Sequence, residues 1–103
     1  VNPIDRQITW DHSRGWCAAC GNRLGDQGVV HHRVLKGMGG KKGARAAGEF
    51  YDRPPITEVI HDRCHKWIHQ HPARAKETGH IVPFWADVSE VPTTVIDELR
   101  RAA

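Results

Sequence analysis

Nothing in this 103-residue chain approaches the roughly 20 consecutive apolar residues that a membrane span requires. Nor does it open with the basic-then-apolar pattern of a secretory signal, so a soluble protein is expected. Val1 rather than Met stands first, which leaves the native start open. There is no internal repeat. Cysteine is scarce: there are three, and two of them form Cys17-Ala-Ala-Cys20. An odd count, a C-x-x-C and eight histidines argue against a disulfide framework and for a metal in a reducing compartment. Hydrophobic residues are on the low side at 39%. A single domain of this length buries only about two thirds of its unfolded surface, so a metal staple would help it. Acidic residues are missing from Val29 to Gly48, where Arg33, Lys36, Lys41, Lys42 and Arg45 are all cationic. Charge alone fits a solvated loop, but a basic stretch beside metal ligands points to a polyanion.

Organisation along the chain follows from spacing and turn residues. Ile4, Ile8 and Trp10 in "PIDRQITWDHSRGW" lie near helical spacing, and "CAACGNRLGDQG" reads as a tight metal knuckle with Gly21 permitting the turn. "VVHHRVL", Val29 to Leu35, is β-branched and bounded by glycines, which predicts a strand. A long glycine-rich loop follows, and loops of that length in small domains are commonly functional. "ITEVI", Ile56 to Ile60, predicts a second strand. From Asp62 the positions of Cys64, Trp67 and Ile68 suit a helix that Pro72 stops near Gln70. "PARAKETG" fits a second helix with Pro72 at its first turn and Gly79 as its cap. "HIVPFWADV" reads as extended and "DELRRAA" as a last helical turn. The four tryptophans, Trp10, Trp16, Trp67 and Trp85, are expected in core and knuckle packing, and His12 and His80 at the surface.

The segment "HDRCHKWIHQH", His61 to His71, holds four histidines and a cysteine, too many ligands for one ion. Successive helix residues lie about 100° apart, so Cys64 and His65 cannot serve one site. His61 and Cys64, at i and i+3, complement Cys17 and Cys20 in a C-x-x-C … H-x-x-C set of the closed Cys3His zinc type. His61 is the softest member, because His65 competes for its place if the helix begins later. His65 and His69, at i and i+4, share a helix face, and their natural partners are His31 and His32. Adjacent strand residues point to opposite faces, so one of these two completes a three-histidine ion site and the other stands beside it as a titratable imidazole. That arrangement suits metal-assisted hydrolysis. His71, beyond the helix end, is expected near phosphate or solvent.

"VVHHRVLKGMGG" followed by "VIHDRCHKWIHQHP" resembles the HNH endonucleases, in particular small zinc-knuckle members of phage and actinobacterial genomes. The likeness runs from Cys17 to about Val82. It implies an α+β fold with a ββα-metal (His-Me finger) core: knuckle 15–28, core 29–71, and a C-terminal helix and extended tail over 72–103. It further implies His31 as the first ligand of a catalytic divalent ion (Mg²⁺, Mn²⁺, Ni²⁺ or Zn²⁺) and His32 as general base. His65 and His69 are the helix ligands, as in the colicin nuclease variant. Two positions depart from the pattern. His61 replaces a cysteine of the second C-x-x-C, and Ile56 or Thr57 stands where the family has an asparagine that orients the base. Asp52, Thr57 or a strand carbonyl is expected to take over that task.

The resulting expectation is a DNA endonuclease leaving 5′-phosphate and 3′-hydroxyl ends. Its structural zinc sits on Cys17, Cys20, His61 and Cys64, and a second, weaker ion on the histidines. Arg33, Lys36, Lys41, Lys42 and Arg45 would contact backbone phosphates. The implied setting is the cytoplasm of a bacterium or phage-infected host, with phage packaging proteins as further partners. The alternative is a catalytically weak zinc-knuckle module that binds nucleic acid within a phage assembly.

Overall fold

Asn2 starts the first helix by accepting the Asp5 backbone N–H at 2.8 Å, with Pro3 following at the first helical position. The computed structural model describes residues 2–34, 52–83 and 85–102. Helix α1 spans Pro3–Ser13 and ends at Arg14, whose φ of 54° is left-handed. Ile4 and Ile8 lie at helical spacing as expected, yet they face outward, 68% and 37% exposed. The helix docks instead through Thr9, whose hydroxyl meets that of Thr57 at 2.9 Å, and through Trp10. The Trp10 ring passes over Gly28 so closely that a Cβ there would sit 2.5 Å from it.

Two antiparallel strands follow, β1 (Gly28–His32) and β2 (Thr57–His61), in a register that pairs His31 with Glu58 and His32 with Thr57. β1 stops short of the predicted Leu35. At Arg33 the backbone N–H still reaches Ile56 O, but the Arg33 carbonyl accepts from Val82, so the chain leaves the ladder for another segment. β2 is shifted one residue later than predicted and so includes His61.

Helix α2 (Asp62–Gln70) begins where β2 ends and has the predicted bounds. Pro72 opens α3 (Pro72–Glu77), and Gly79 turns the chain with φ 82°. A Cβ at Gly79 would lie 2.2 Å from Pro92 O, so both conformation and space require glycine. Among its described residues the segment predicted as extended forms no strand. His80, Ile81 and Val82 are buried, and a short 3-10 turn follows at Val88–Glu90. Thr94 N–H then bonds Thr78 O at 3.0 Å, and Ile96 N–H bonds Ala19 O at 2.7 Å inside the knuckle. Helix α4 (Asp97–Ala102) is tied to α3 by Arg74 and Glu98.

This is a small mixed α/β protein with a two-stranded antiparallel sheet. Its main apolar cluster joins Leu24, Val59, Ile60, Ile68, Ile81 and Ile96 around the three cysteines. Ile60, Ile68 and Ile96 are fully buried, each contributing about 1.5–3 kcal/mol of transfer free energy. The tryptophans divide: Trp10 and Trp67 pack on the core, whereas Trp16 and Trp85 are 48% and 74% exposed, against expectation. Among the described residues no helix is long and apolar enough to cross a membrane.

Candidate metal centres

The knuckle is closed by short-range backbone bonds. Cys17 N–H donates to Asn22 O at 2.8 Å and Gly21 N–H to Cys17 O at 2.9 Å, with Gly21 in the left-handed region at φ 76°. Ala18 N–H donates to Val59 O, which fastens the knuckle to the outer edge of β2. His61 at the end of β2 and Cys64 in the first turn of α2 then face the two knuckle cysteines. Cys17, Cys20, His61 and Cys64 are all buried, with ligand atoms within 4.8 Å of one another. Cys17 and Cys64 sulfurs are 3.9 Å apart, and His61 Nδ1 is 3.3 Å from Cys20 Sγ and 4.0 Å from Cys64 Sγ. A tetrahedral zinc with sulfurs at about 2.3 Å sets ligand–ligand edges of roughly 3.5–3.8 Å, so the donors fit that ion.

The surroundings prepare the ligands for a cation. His61 donates Nε2–H to Arg23 O at 2.8 Å, which turns its basic Nδ1 toward the cysteines. Cys17 Sγ meets the Cys64 sulfur and accepts from the backbone N–H groups of Cys20 and His61, and these contacts hold its pKa well below the usual thiol range despite burial. The same contact and burial push the Cys64 thiol up. The Arg63 guanidinium reaches Cys20 Sγ at 3.6 Å. The four residues form a buried tetrad able to hold a structural metal such as zinc, as their spacing predicts.

The second cluster lies on the next residue of the same helix. His65 and His69 stack one turn apart with Nε2 atoms 3.0 Å apart, and His31 of β1 meets their rings at centroid distances of 5.2 and 6.1 Å. The three ligand atoms lie within 4.8 Å of one another. Burial, opposed by the bond to a carbonyl and reinforced by the other histidines, lowers the His31 pKa to about 3, so this ring is neutral in ordinary buffers. Burial and His69 lower that of His65 as well. His31 donates Nε2–H to His80 O at 2.8 Å, leaving Nδ1 as its donor atom for a metal.

His32 occupies the opposite side of β1, as strand alternation requires. Its Nε2 is 2.7 Å from Asp52 Oδ1, and Asp52 is one of the side chains expected to orient that ring. Thr57, the other side chain considered for that task, is engaged with Thr9 instead.

Three expectations are corrected. Arg33 is not placed to meet phosphate: it is 4% exposed, and its guanidinium donates to Gly79 O at 2.8 Å, Pro55 O at 2.9 Å and Val91 O. His80 is not a surface residue but fully buried, with Nδ1 2.7 Å from Glu58 Oε2 and Nε2 2.8 Å from Thr94 O. Trp16 is not buried knuckle packing; its ring lies under the Arg23 guanidinium at 4.9 Å. His12 is exposed as expected, and exposed His71 stacks on Trp67 at 4.1 Å, away from both clusters. Lys36, Lys41, Lys42 and Arg45 lie outside the described residues. Sequence reasoning missed the buried contact that Glu58 makes with His80. Its position opposite His31 in the register was the only available signal, and that needed the strand pairing. No protein-family model, no curated protein and no solved structure matches the chain.

Proposed function

We propose that this protein is a metal-dependent DNA endonuclease of the HNH type. The observation that carries the reading is the pairing of three convergent imidazoles, His31, His65 and His69, with a separate fourth, His32, braced by a carboxylate at 2.7 Å. A divalent ion on the three histidines would supply charge neutralisation at the phosphoryl and leaving oxygens. His32 works as the base. Held at Nε2 by Asp52 Oδ1 at 2.7 Å, the imidazole takes the proton of an attacking water. Asp52 fixes the ring's tautomer and stabilises the imidazolium that forms. The leaving 3′-oxygen departs in line, which yields 5′-phosphate and 3′-hydroxyl ends. The buried tetrad contributes no chemistry; it anchors the start of the helix that carries His65 and His69.

Plasmid nicking with added Mg²⁺, Mn²⁺, Ni²⁺ or Zn²⁺ tests the reading. His32→Ala should lower the rate at least 100-fold, in the range for loss of a general base, and Asp52→Ala by about 10-fold. Undiminished cleavage by His32→Ala would remove His32 from the mechanism. Salt-dependent DNA binding by the wild-type chain with no cleavage under any of these ions would favour the binding-module alternative.

A further inference from the structure

His31 is the most buried of the three convergent histidines and the only one supplied by the sheet. Its ring has one bond that sets its orientation, from Nε2–H to the carbonyl of residue 80 at 2.8 Å. That carbonyl is unusually well held. The His80 backbone N–H donates to Ala75 O at 2.9 Å, and Arg33 Nε donates to the preceding carbonyl, Gly79 O. Val82 N–H, two residues on, donates to Arg33 O at 2.8 Å. The His80 side chain is clamped at both ring nitrogens, Nε2–H on Thr94 O at 2.8 Å and Nδ1–H on the Glu58 carboxylate at 2.7 Å. Glu58 is in turn the residue directly opposite His31 in the strand register. His31, Glu58 and His80 therefore close a loop: strand pairing joins the first two, a buried ion pair the next two, and a carbonyl returns to the His31 ring.

A buried carboxylate facing a fully buried imidazole is costly to desolvate, and apolar side chains of similar size would serve core packing as well or better. Its retention beside the ion site calls for a geometric role. We propose that Glu58 and His80 are positioning residues that lock His31 in its Nε2–H tautomer, with Nδ1 aimed at the ion shared with His65 and His69. Neither touches the ion; both act through the carbonyl of residue 80. Where a ligand histidine is oriented by a fixed acceptor, loss of the support costs about 10- to 100-fold in metal affinity. This assignment rests on the reading of the three histidines as an ion site, and the experiment separates the two claims.

The full chain, with zinc in the tetrad and no second ion, is examined by ¹⁵N NMR of the histidine rings and then titrated with Co²⁺ or Ni²⁺. Three variants are compared: Glu58→Leu/His80→Leu, His80→Asn and Glu58→Gln. Retention of one tight zinc and an unchanged melting transition verify the fold of each. The double variant replaces the whole ion pair with apolar groups and should show His31 as a mixture of tautomers, with second-ion affinity down about 10- to 100-fold. His80→Asn keeps a donor toward Glu58 but gives up Thr94, so its loss should be smaller; it serves if the double variant does not fold. Glu58→Gln still offers an oxygen to His80 and should recover most of the affinity. A flat series, or a His31 ring that stays wholly in the Nε2–H form in both disruptive variants, overturns the assignment. If wild type binds no second ion, the ion-site reading fails, and the tautomer measurement still decides what Glu58 and His80 do.

Discussion

Arg33 separates two views of the basic stretch, because one of the cations expected to contact phosphate is spent inside the protein. Replacing it with alanine removes three charge-assisted hydrogen bonds, to Gly79 O, Pro55 O and Val91 O. Such bonds are worth about 1.5–3 kcal/mol each, but not additively, and the Pro55 and Val91 carbonyls are near enough to the surface to recover water. A net loss of about 4 kcal/mol is therefore expected. For a domain of this size each kcal/mol lowers Tm by about 4–8 °C, so the transition should fall by roughly 15–30 °C. Arg33→Lys should be nearly as damaging, since one ammonium cannot span three diverging carbonyls. Urea and thermal unfolding followed by circular dichroism give the stability, and DNA affinity measured against salt concentration gives the electrostatic contribution. A phosphate-contacting arginine behaves differently: its loss leaves Tm within a few degrees and reduces the salt slope by about one. That pattern would refute the structural role assigned to Arg33.

The tetrad and the His31 pocket carry two more predictions. Cys64→Ala should abolish the tightly held zinc and leave the chain unfolded at 25 °C. Structural zinc supplies on the order of 10 kcal/mol, comparable to the whole stability of a small domain, and circular dichroism beside metal analysis reads both effects. In the chain carrying zinc only in the tetrad, His31 should make stability acid-sensitive. Its folded pKa is depressed to about 3 while the unfolded chain titrates near 6.5, so its contribution is present above about pH 6.5 and drains away as pH falls toward 3. The unfolded state gains the proton first, giving a slope of about 1.4 kcal/mol per pH unit. His31→Gln should flatten the urea-derived profile by that amount between pH 6 and 4, and identical slopes would show that His31 is not held neutral by the fold.

What could be read from the chain depended on how local the cause was. Cys17, Cys20, His61 and Cys64 were legible because two short spacings, each within one turn of chain, determine which side chains converge. The division of His31 from His32 followed from strand alternation, and that of Cys64 from His65 from the 100° helical step. The bounds of α2 were set by Pro72 and the residues around it. The ends of β1 and the burial of His80 were not legible, because both depend on the segment after Gly79 folding back on Arg33. That return carries no periodic signal; it is held by single bonds such as Val82 to Arg33 and Thr94 to Thr78. Arg33 itself misleads in sequence because a run of cations reads as one surface, while the structure buries this member among carbonyls.

The segment from Thr94 to Ile96 supplies no ligand, yet Thr94 O steadies His80 beside one cluster and Ile96 N–H grips Ala19 inside the other. Both bonds are made by main-chain atoms, two residues apart. Drift in the Thr94 side chain should leave them intact, whereas a deletion of a single residue would throw one of them out of register. Among related chains this stretch should therefore vary freely at positions 94 and 95, keep an apolar residue at the buried position 96 and hardly change in length, the reverse of what an exposed tail with no ligands would show.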